Sequence, residues 1–277
     1  MNVAVFSAVV FTVSAAAGFL GALTGLGGGV VVTPALTLLG VELHYAMGAS
    51  LISVIATSSG AAAAYVKEGF SNVRAGMFLE IATTVGAVVG AHLTAVIPAP
   101  ALAVIFGLVL LYSAWHSFQP HTAPAPAAPD RLAERLRMNG SYPEQGHIVR
   151  YYVTRVKAGF SLMFAAGVLS GLLGIGSGAM KVIAMDQIMR FPFKVSTTTS
   201  NFMIGVTATA SVGIYLSRGY VQPGLAMPVM LGVLAGSLAG ARILPGAGAR
   251  SLRFVFGGVV VLLAAQMLYN GITGGLK

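Results

Sequence analysis

Hydrophobic residues fill ten segments of this chain, and polar residues are confined to short stretches between them and to one longer region in the middle. A helix that spans a bilayer needs about 20 mostly apolar residues. Eight segments are long enough to span, whereas the two that begin at residues 28 and 178 are short. The segments lie at about residues 3–24, 28–40, 45–66, 75–97, 101–118, 155–175, 178–190, 195–217, 223–245 and 251–272. This pattern predicts an all-α integral membrane protein.

The composition agrees with a chain embedded in a membrane. Of its 277 residues, 56% are hydrophobic and 8% are charged. Soluble domains carry about 25% charged residues, so a soluble globular protein is excluded, and the apolar excess excludes disorder. The chain has no Cys, which excludes disulfides, thiolate metal sites and a Cys nucleophile. Its 36 glycines suit helices that approach each other closely in a bilayer.

A polar region at residues 119–154 separates a first membrane repeat, residues 1–118, from a second one, residues 155–277. It opens with a Pro/Ala-rich linker, and Asp130 is placed to cap a short helix that follows. The net charge of +9 comes from sparse Lys and Arg residues between apolar runs, which is typical of cytoplasmic loops and not of nucleic-acid binding. Six of these lie in or just after the polar region: Arg131, Arg135, Arg137, Arg150, Arg155 and Lys157.

The two halves resemble each other in sequence. The stretch at 18–29, GFLGALTGLGGG, aligns with GVLSGLLGIGSG at 167–178, an offset of 149 residues. At an offset of 150, Tyr65 aligns with Tyr215, and GAVVGAH at 86–92 aligns with GSLAGAR at 236–242. Two such halves in a membrane are the usual build of a secondary transporter.

The distribution of Lys and Arg distinguishes parallel from inverted halves. If residues 155–190 cross the membrane an even number of times, 13 of the 16 Lys and Arg residues lie inside and two lie outside, with Lys181 in the membrane. If residues 155–190 form one broken span, ten lie inside and five outside. Because basic residues favour the cytoplasmic side, the first arrangement is preferred, and its odd number of crossings per half makes the halves inverted.

Four motifs together resemble the TauE/SafE family of sulfite and organosulfonate exporters. They are GLGGG at 25–29, GIGSG at 174–178, AMGASL at 46–51 and VSTTTSN at 195–201. The resemblance covers nearly the whole chain apart from the polar region. It implies a bacterial inner-membrane transporter of small sulfur-containing or carboxylic anions, without an ATPase or a cofactor.

The glycine clusters are the first candidates for binding such an anion. Each precedes a short apolar segment, so each predicts a helix interrupted at membrane depth, where free backbone N–H groups and the positive end of the helix dipole attract an anion. Tight helix packing is the competing explanation of these glycines. The candidate residues are Gly25, Gly27, Gly28, Gly29, Gly174, Gly176, Ser177 and Gly178.

Polar side chains near the clusters complete the predicted site. Hydroxyl and amide donors suit sulfonate oxygens. The favoured donors are Ser50, Thr198, Thr199 and Asn201, which lie near the starts of their helices. Lys181 either adds positive charge to the anion site or pairs with Asp186. Glu80 is either at the membrane interface or a buried proton carrier.

The chain carries no Walker A sequence, no convincing dinucleotide fingerprint and no metal-ligand spacing. We therefore expect no enzyme activity, no metal and no cofactor. The expected function is export of sulfite, sulfoacetate or related sulfonates, driven by an ion gradient. The alternatives are an uptake permease for an organic acid or another sulfur anion, and a channel or membrane scaffold. The expected partners are the small anion and membrane lipids, with a homodimer left open and no nucleic acid.

The charge distribution makes a prediction about topology. Both termini should lie outside the cytoplasm and the region at 119–154 inside, because this arrangement keeps 13 of the 16 basic residues on the cytoplasmic side. Reporter domains fused after Lys277 and inserted in the polar region should give opposite signals. A cytoplasmic C-terminus would contradict the inverted arrangement.

Overall fold

The computed structural model describes residues 2–24, 27–67, 69–118, 130–144, 147–243 and 249–273. The helices before the polar region are α1 Val3–Thr24, α2 Gly29–Leu38, α3 Leu43–Lys67, α4 Val73–Leu93 and α5 Ala99–Phe118. The polar region holds α6 Arg131–Arg135 and the strands β1 Gly140–Glu144 and β2 His147–Tyr151. The helices after it are α7 Val156–Leu173, α8 Gly178–Ile183, α9 Phe193–Ser217, α10 Pro223–Ile243 and α11 Ala249–Thr273, and a π-helical turn, Ala184–Ile188, continues α8.

The helices confirm an all-α integral membrane protein. Among the described residues, eight helices have at least 18 residues, and α2 and α8 are the two short ones beside the glycine clusters. Length and hydropathy together mark four of them as candidate spans: Val3–Leu23, Val73–Leu93, Val156–Leu173 and Pro223–Arg242. Apolar side chains such as Met77, Ile81 and Val85 recur on α4 at a spacing of four residues and are more than half exposed, as on a helix that faces lipid.

Two helix pairs pack backbone to backbone through small residues. On α1 and α10, a Cβ added to Gly236 would stand 1.9 Å from the Ala15 carbonyl oxygen. On α4 and α7, a Cβ added to Gly171 would stand 1.9 Å from the Ala87 carbonyl oxygen. The two pairs correspond under the offset of 149–150 residues, since α1 and α4 of the first half match α7 and α10 of the second. The glycines thus serve close packing at these positions.

The contacts also give the relative directions of equivalent helices. The start of α3 meets the end of α9, where Gly48 lies against Tyr220, and the Thr198 hydroxyl at the start of α9 donates to the Phe70 carbonyl just after α3, at 3.0 Å. α3 and α9 are therefore antiparallel. One broken span at 155–190 would make them parallel, so the contacts favour an even number of crossings there. Which membrane side each end faces stays a prediction.

The polar region is folded onto the ends of the membrane helices. Asp130 accepts hydrogen bonds from the Leu132 N–H at 2.9 Å and the Val156 N–H at 3.0 Å, so it caps α6, as predicted, and also holds the start of α7. The predicted Pro/Ala-rich linker lies outside the described residues.

The antiparallel hairpin of β1 and β2 was not predicted from the sequence. Asn72 anchors the hairpin to α4 by donating to the Tyr151 hydroxyl at 2.8 Å and to the Met138 carbonyl at 2.7 Å. Burial raises the pKa of Tyr151 to about 12, so its hydroxyl stays neutral at physiological pH. Tyr142 and Tyr151 are buried with Phe191 in a second apolar core between the hairpin and the helix ends.

The close helix contacts make a prediction about stability. Gly171→Ala and Gly236→Ala should each lower the free energy of unfolding by about 1–3 kcal/mol, because the added methyl group would overlap a backbone carbonyl of the partner helix. Gly213→Ala on α9 is the matched control, since a Cβ there meets nothing within 4 Å and alanine favours a helix. Thermal unfolding of the purified protein in detergent measures all three. Equal stability of the three variants would show that these glycines do not set the helix spacing.

Candidate functional site

The two glycine clusters form turns with matching backbone conformations. Gly27 and Gly176 are equivalent at the offset of 149 and have φ of 77° and 73°. Such left-handed conformations favour glycine because a Cβ would crowd the backbone. Gly174 also has a positive φ, 67°, where it ends α7. Each turn leads into the N-terminus of a short helix: Gly27 and Gly28 precede α2, and residues 174–177 join α7 to α8.

The two turns meet in the middle of the bundle. A Cβ added to Gly29 would stand 3.3 Å from the Ile175 Cα of the other turn. Val54 of α3 and Ile204 of α9 lie beside both turns, since each approaches Gly27 and Gly176. These two side chains are themselves equivalent at the offset of 150. The meeting point is therefore built from corresponding pieces of both halves.

A pair of equivalent serines ties the turns to the long central helices. The Ser50 hydroxyl of α3 donates to the Gly29 carbonyl at 3.2 Å, and the Ser200 hydroxyl of α9 donates to the Gly178 carbonyl at 3.3 Å. Both serines are fully buried. Gly28, the N-cap of α2, is also closely packed, because a Cβ there would stand 3.1 Å from the Thr57 hydroxyl oxygen.

Of the other predicted donors, Asn201 lies near this meeting point, whereas Thr198 and Thr199 contact the connection between α3 and α4. Asn201 is fully buried and donates through Nδ2 to the Ala22 carbonyl, at 3.1 Å, near the end of α1. The Asn201 Oδ1 accepts no hydrogen bond from the described residues. The buried Ser177 hydroxyl also has no hydrogen-bond partner among them. Thr198 and Thr199 bond instead to the connection between α3 and α4, with the Asn72 N–H donating to Thr199 at 2.9 Å. Gly25 lies outside the described residues.

Lys181 is buried in a polar cluster beside the turns. Its side chain is completely buried and its Nζ lies 3.5 Å from Oε2 of Glu80, which is 6% exposed. Its Nζ also donates to the hydroxyl of Thr207, which in turn donates to Oε1 of Glu80. Glu80 on α4 therefore forms an ion pair with Lys181, and it lies in the interior of the protein. The sequence suggested Asp186 as a partner of Lys181 and did not suggest Glu80.

Several residues at this centre were not predicted from the sequence. Ser200 was one of many hydroxyl residues near the start of its helix. Val54, Ile204 and Thr207 were not predicted to belong to the site, because apolar residues and threonines are common in membrane helices. The internal offset contains the signal for most of them, because adding 150 to Ser50 and Val54 gives Ser200 and Ile204. The pairing of Glu80 with Lys181 joins positions 101 residues apart and has no such signal.

The groups at this site can bind an anion. Among the described residues, no three His, Cys, Asp or Glu side chains come together as metal ligands. Helix N-termini present backbone N–H groups without intrahelical acceptors, and such groups bind oxyanions. The glycines allow a ligand to approach the backbone closely. The ion pair adds one positive and one negative charge within one shared polar cluster.

Known proteins resemble the chain over nearly its whole length. The family model described as sulfite exporter TauE/SafE matches residues 10–267. The probable membrane transporter protein YunE of Bacillus subtilis (strain 168) is 27% identical over 265 residues, which are 92% of this chain and 95% of the relative. The probable membrane transporter protein YdhB of the same organism is 29% identical over 84% of this chain and 87% of the relative. No solved structure matches the chain.

The buried ion pair makes a prediction about stability. Lys181→Met should lower the free energy of unfolding by about 3–5 kcal/mol, because it leaves the Glu80 carboxylate buried without its counter-ion. Adding Glu80→Gln should restore most of that loss, since the double variant has no buried charge. Denaturant unfolding in detergent gives the coupling between the two sites. Lys157→Met, at an exposed position on α7, is the control. Additive losses in the double variant would show that the two charges do not interact.

Proposed function

The chain belongs to the sulfite exporter TauE/SafE family and is a multi-pass membrane transporter, and on that premise we propose that it exports small sulfur-containing anions. The proposed substrates are sulfite, sulfoacetate and related sulfonates, moved by alternating access across the bacterial inner membrane. The ion gradient supplies the energy, and the chain catalyses no chemical reaction. The family description supports the class of substrate.

The observation that carries this proposal is the meeting of the two glycine turns between α3 and α9. In a bilayer, non-helical backbone is tolerated only inside protein or beside a water-filled cavity. Two such interruptions that face each other are costly to maintain, and their N–H groups suit a small oxyanion. The backbone of this site would come from Gly27, Gly28, Gly29, Gly176, Ser177 and Gly178, with Gly174 at its edge.

Side chains around the turns complete the proposed site. Ser50 and Asn201 are buried beside it, whereas Thr198 and Thr199, in the first turns of α9, hold the connection between α3 and α4. Val54 and Ile204 fill the space between the turns in this conformation. Substrate entry therefore requires these two side chains to move, and an opening of α3 against α9 would achieve this. Lipids surround the exposed apolar faces, and a homodimer is compatible with the proposal.

A binding and transport assay tests the proposed function. Purified protein should bind sulfite, sulfoacetate or isethionate more tightly than lactate, and loaded proteoliposomes should release the same anions with saturable kinetics. Ser50→Ala and Ser200→Ala should weaken binding by about tenfold, because each removes a hydrogen bond that positions a glycine turn. Ser59→Ala and Thr209→Ala are matched controls, since these exposed hydroxyls bond to their own helices. Failure to bind any sulfur anion would contradict the proposal.

A further inference from the structure

Asn201 and Ser177 each bury a polar atom that has no hydrogen-bond partner among the described residues. Asn201 of α9 is fully buried, and its Oδ1 accepts no hydrogen bond from them. Ser177, the N-cap of α8, is 2% exposed, and its hydroxyl is likewise unpartnered there. A buried polar group without a partner costs free energy, which a bound ligand can recover by pairing with it.

Asn201 lies between the two glycine turns. Its Nδ2 donates to the carbonyl of Ala22, in the last turn of α1, at 3.1 Å. The residue before Ala22 packs against the first turn, because a Cβ added to Gly21 would stand 2.5 Å from the backbone nitrogen of the α2 N-cap. The residue before Asn201 is Ser200, which donates to the Gly178 carbonyl beside the second turn. Asn201 is therefore held where both turns approach α9.

The contact with Ala22 fixes which way round the Asn201 amide lies. A carbonyl oxygen can only accept a hydrogen bond, so the amide must present its NH₂ group to it. Oδ1 is then left as an acceptor, and the backbone N–H groups of α9 around it are used within the helix. A hydrogen-bond donor on a bound molecule can satisfy this oxygen.

Ser177 is held in a backbone conformation that glycine adopts more easily. Its φ is 46°, in the left-handed region, and its side chain makes no capping hydrogen bond to α8. A hydroxyl inside a helix can turn to the carbonyl four residues earlier, but Ser177 precedes its helix and lacks that partner. Strained residues of this kind are found where a ligand is held.

The other half makes the same arrangement without these two polar groups. At the offsets of 149 and 150, Ser177 corresponds to Gly28 and Asn201 to Leu51. Leu51 is fully buried. A turn beside a long central helix thus forms once with glycine and leucine and once with serine and asparagine. Packing alone therefore does not explain the polar pair.

We propose that Asn201 and Ser177 select anions that carry a hydrogen-bond donor near the oxyanion, such as the hydroxyl of isethionate. This inference rests on the proposed function and narrows the substrate class of that site. The Ser177 hydroxyl donates to a sulfonate oxygen at the glycine turns, and the substrate hydroxyl donates to the Asn201 Oδ1. Sulfonates without a donor leave Oδ1 buried and unpaired, so they bind more weakly. Val54 and Ile204 move aside first, as for any substrate of this site.

Three sulfonates of the same charge test this selection on the wild-type protein. Isethionate carries a hydroxyl, ethanesulfonate lacks it, and 2-methoxyethanesulfonate has a methyl group in place of the hydroxyl hydrogen. Calorimetric titration in detergent should show isethionate binding about tenfold tighter than the other two, because it alone can donate to Oδ1. Equal binding of isethionate and either comparison sulfonate, or binding of sulfite alone, would overturn the inference and leave the proposed function standing. Failure to bind any sulfur anion would contradict both.

Variants then assign the roles of the two residues. Asn201→Leu should bind isethionate and ethanesulfonate equally, and Asn201→Ala serves if the leucine variant does not fold. Ser177→Gly should raise the melting temperature by relieving the positive φ, yet weaken both sulfonates alike and keep the preference for isethionate. Gln266→Leu on α11 is the matched control, since Gln266 also donates through its amide, to Thr37, and has an unpartnered Oε1 among the described residues. A preference retained without Asn201, or binding unchanged in Ser177→Gly, would overturn the assignment.

Discussion

The need to satisfy backbone polar groups in a bilayer governs this structure. Two glycine turns, which include Gly27 and residues 174–177, precede short helices in a protein whose other apolar segments form long ones. Such reversals are stable only where protein surrounds them. The long helices α3 and α9 cross beside both, and Ser50 and Ser200 each satisfy one carbonyl of a short helix. The close glycine contacts of α1 with α10 and of α4 with α7 enclose this centre from outside.

The two halves share architecture but differ in charge. Ser50 corresponds to Ser200 and Val54 to Ile204, so the meeting point of the turns is nearly symmetric. The pair of Glu80 and Lys181 exists on one side only. A symmetric framework suits a transporter whose halves exchange roles as it opens to each side. The single ion pair breaks this symmetry, because the corresponding positions in the other half are the apolar Met230 and Val32.

Much of the fold could be predicted from the sequence, because membrane helices have a strong local signal. Length and hydropathy identified the long helices, and the glycine clusters identified the two short ones. The hairpin at 140–151 was missed because its strands are short and its burial comes from packing on α4 through Asn72 and Tyr151. The helix contacts of the candidate site were harder to predict from the sequence. Thr198 and Thr199 lie close in sequence to Asn201, yet they point to the end of the bundle and contact residues 70–72.

The ion pair between Glu80 and Lys181 could not be predicted from residues near each other in sequence. Asp186 is the acidic residue nearest to Lys181 in sequence, five positions away, but Glu80 makes the observed pair from another helix. Pairing across 101 residues depends on how α4, α8 and α9 pack, which no local pattern contains. Repeat symmetry could not reveal it either, because the corresponding positions are Met230 and Val32.

In the proposed function, the two glycine turns jointly bind the transported anion. Anomalous diffraction at the selenium edge, from crystals of the protein soaked in selenite as a heavy analogue of sulfite, would locate that anion. We expect a peak between the turns, within hydrogen-bonding distance of the backbone N–H groups at the starts of α2 and α8. A selenite peak found only elsewhere, such as at the arginines of the polar region, would contradict it.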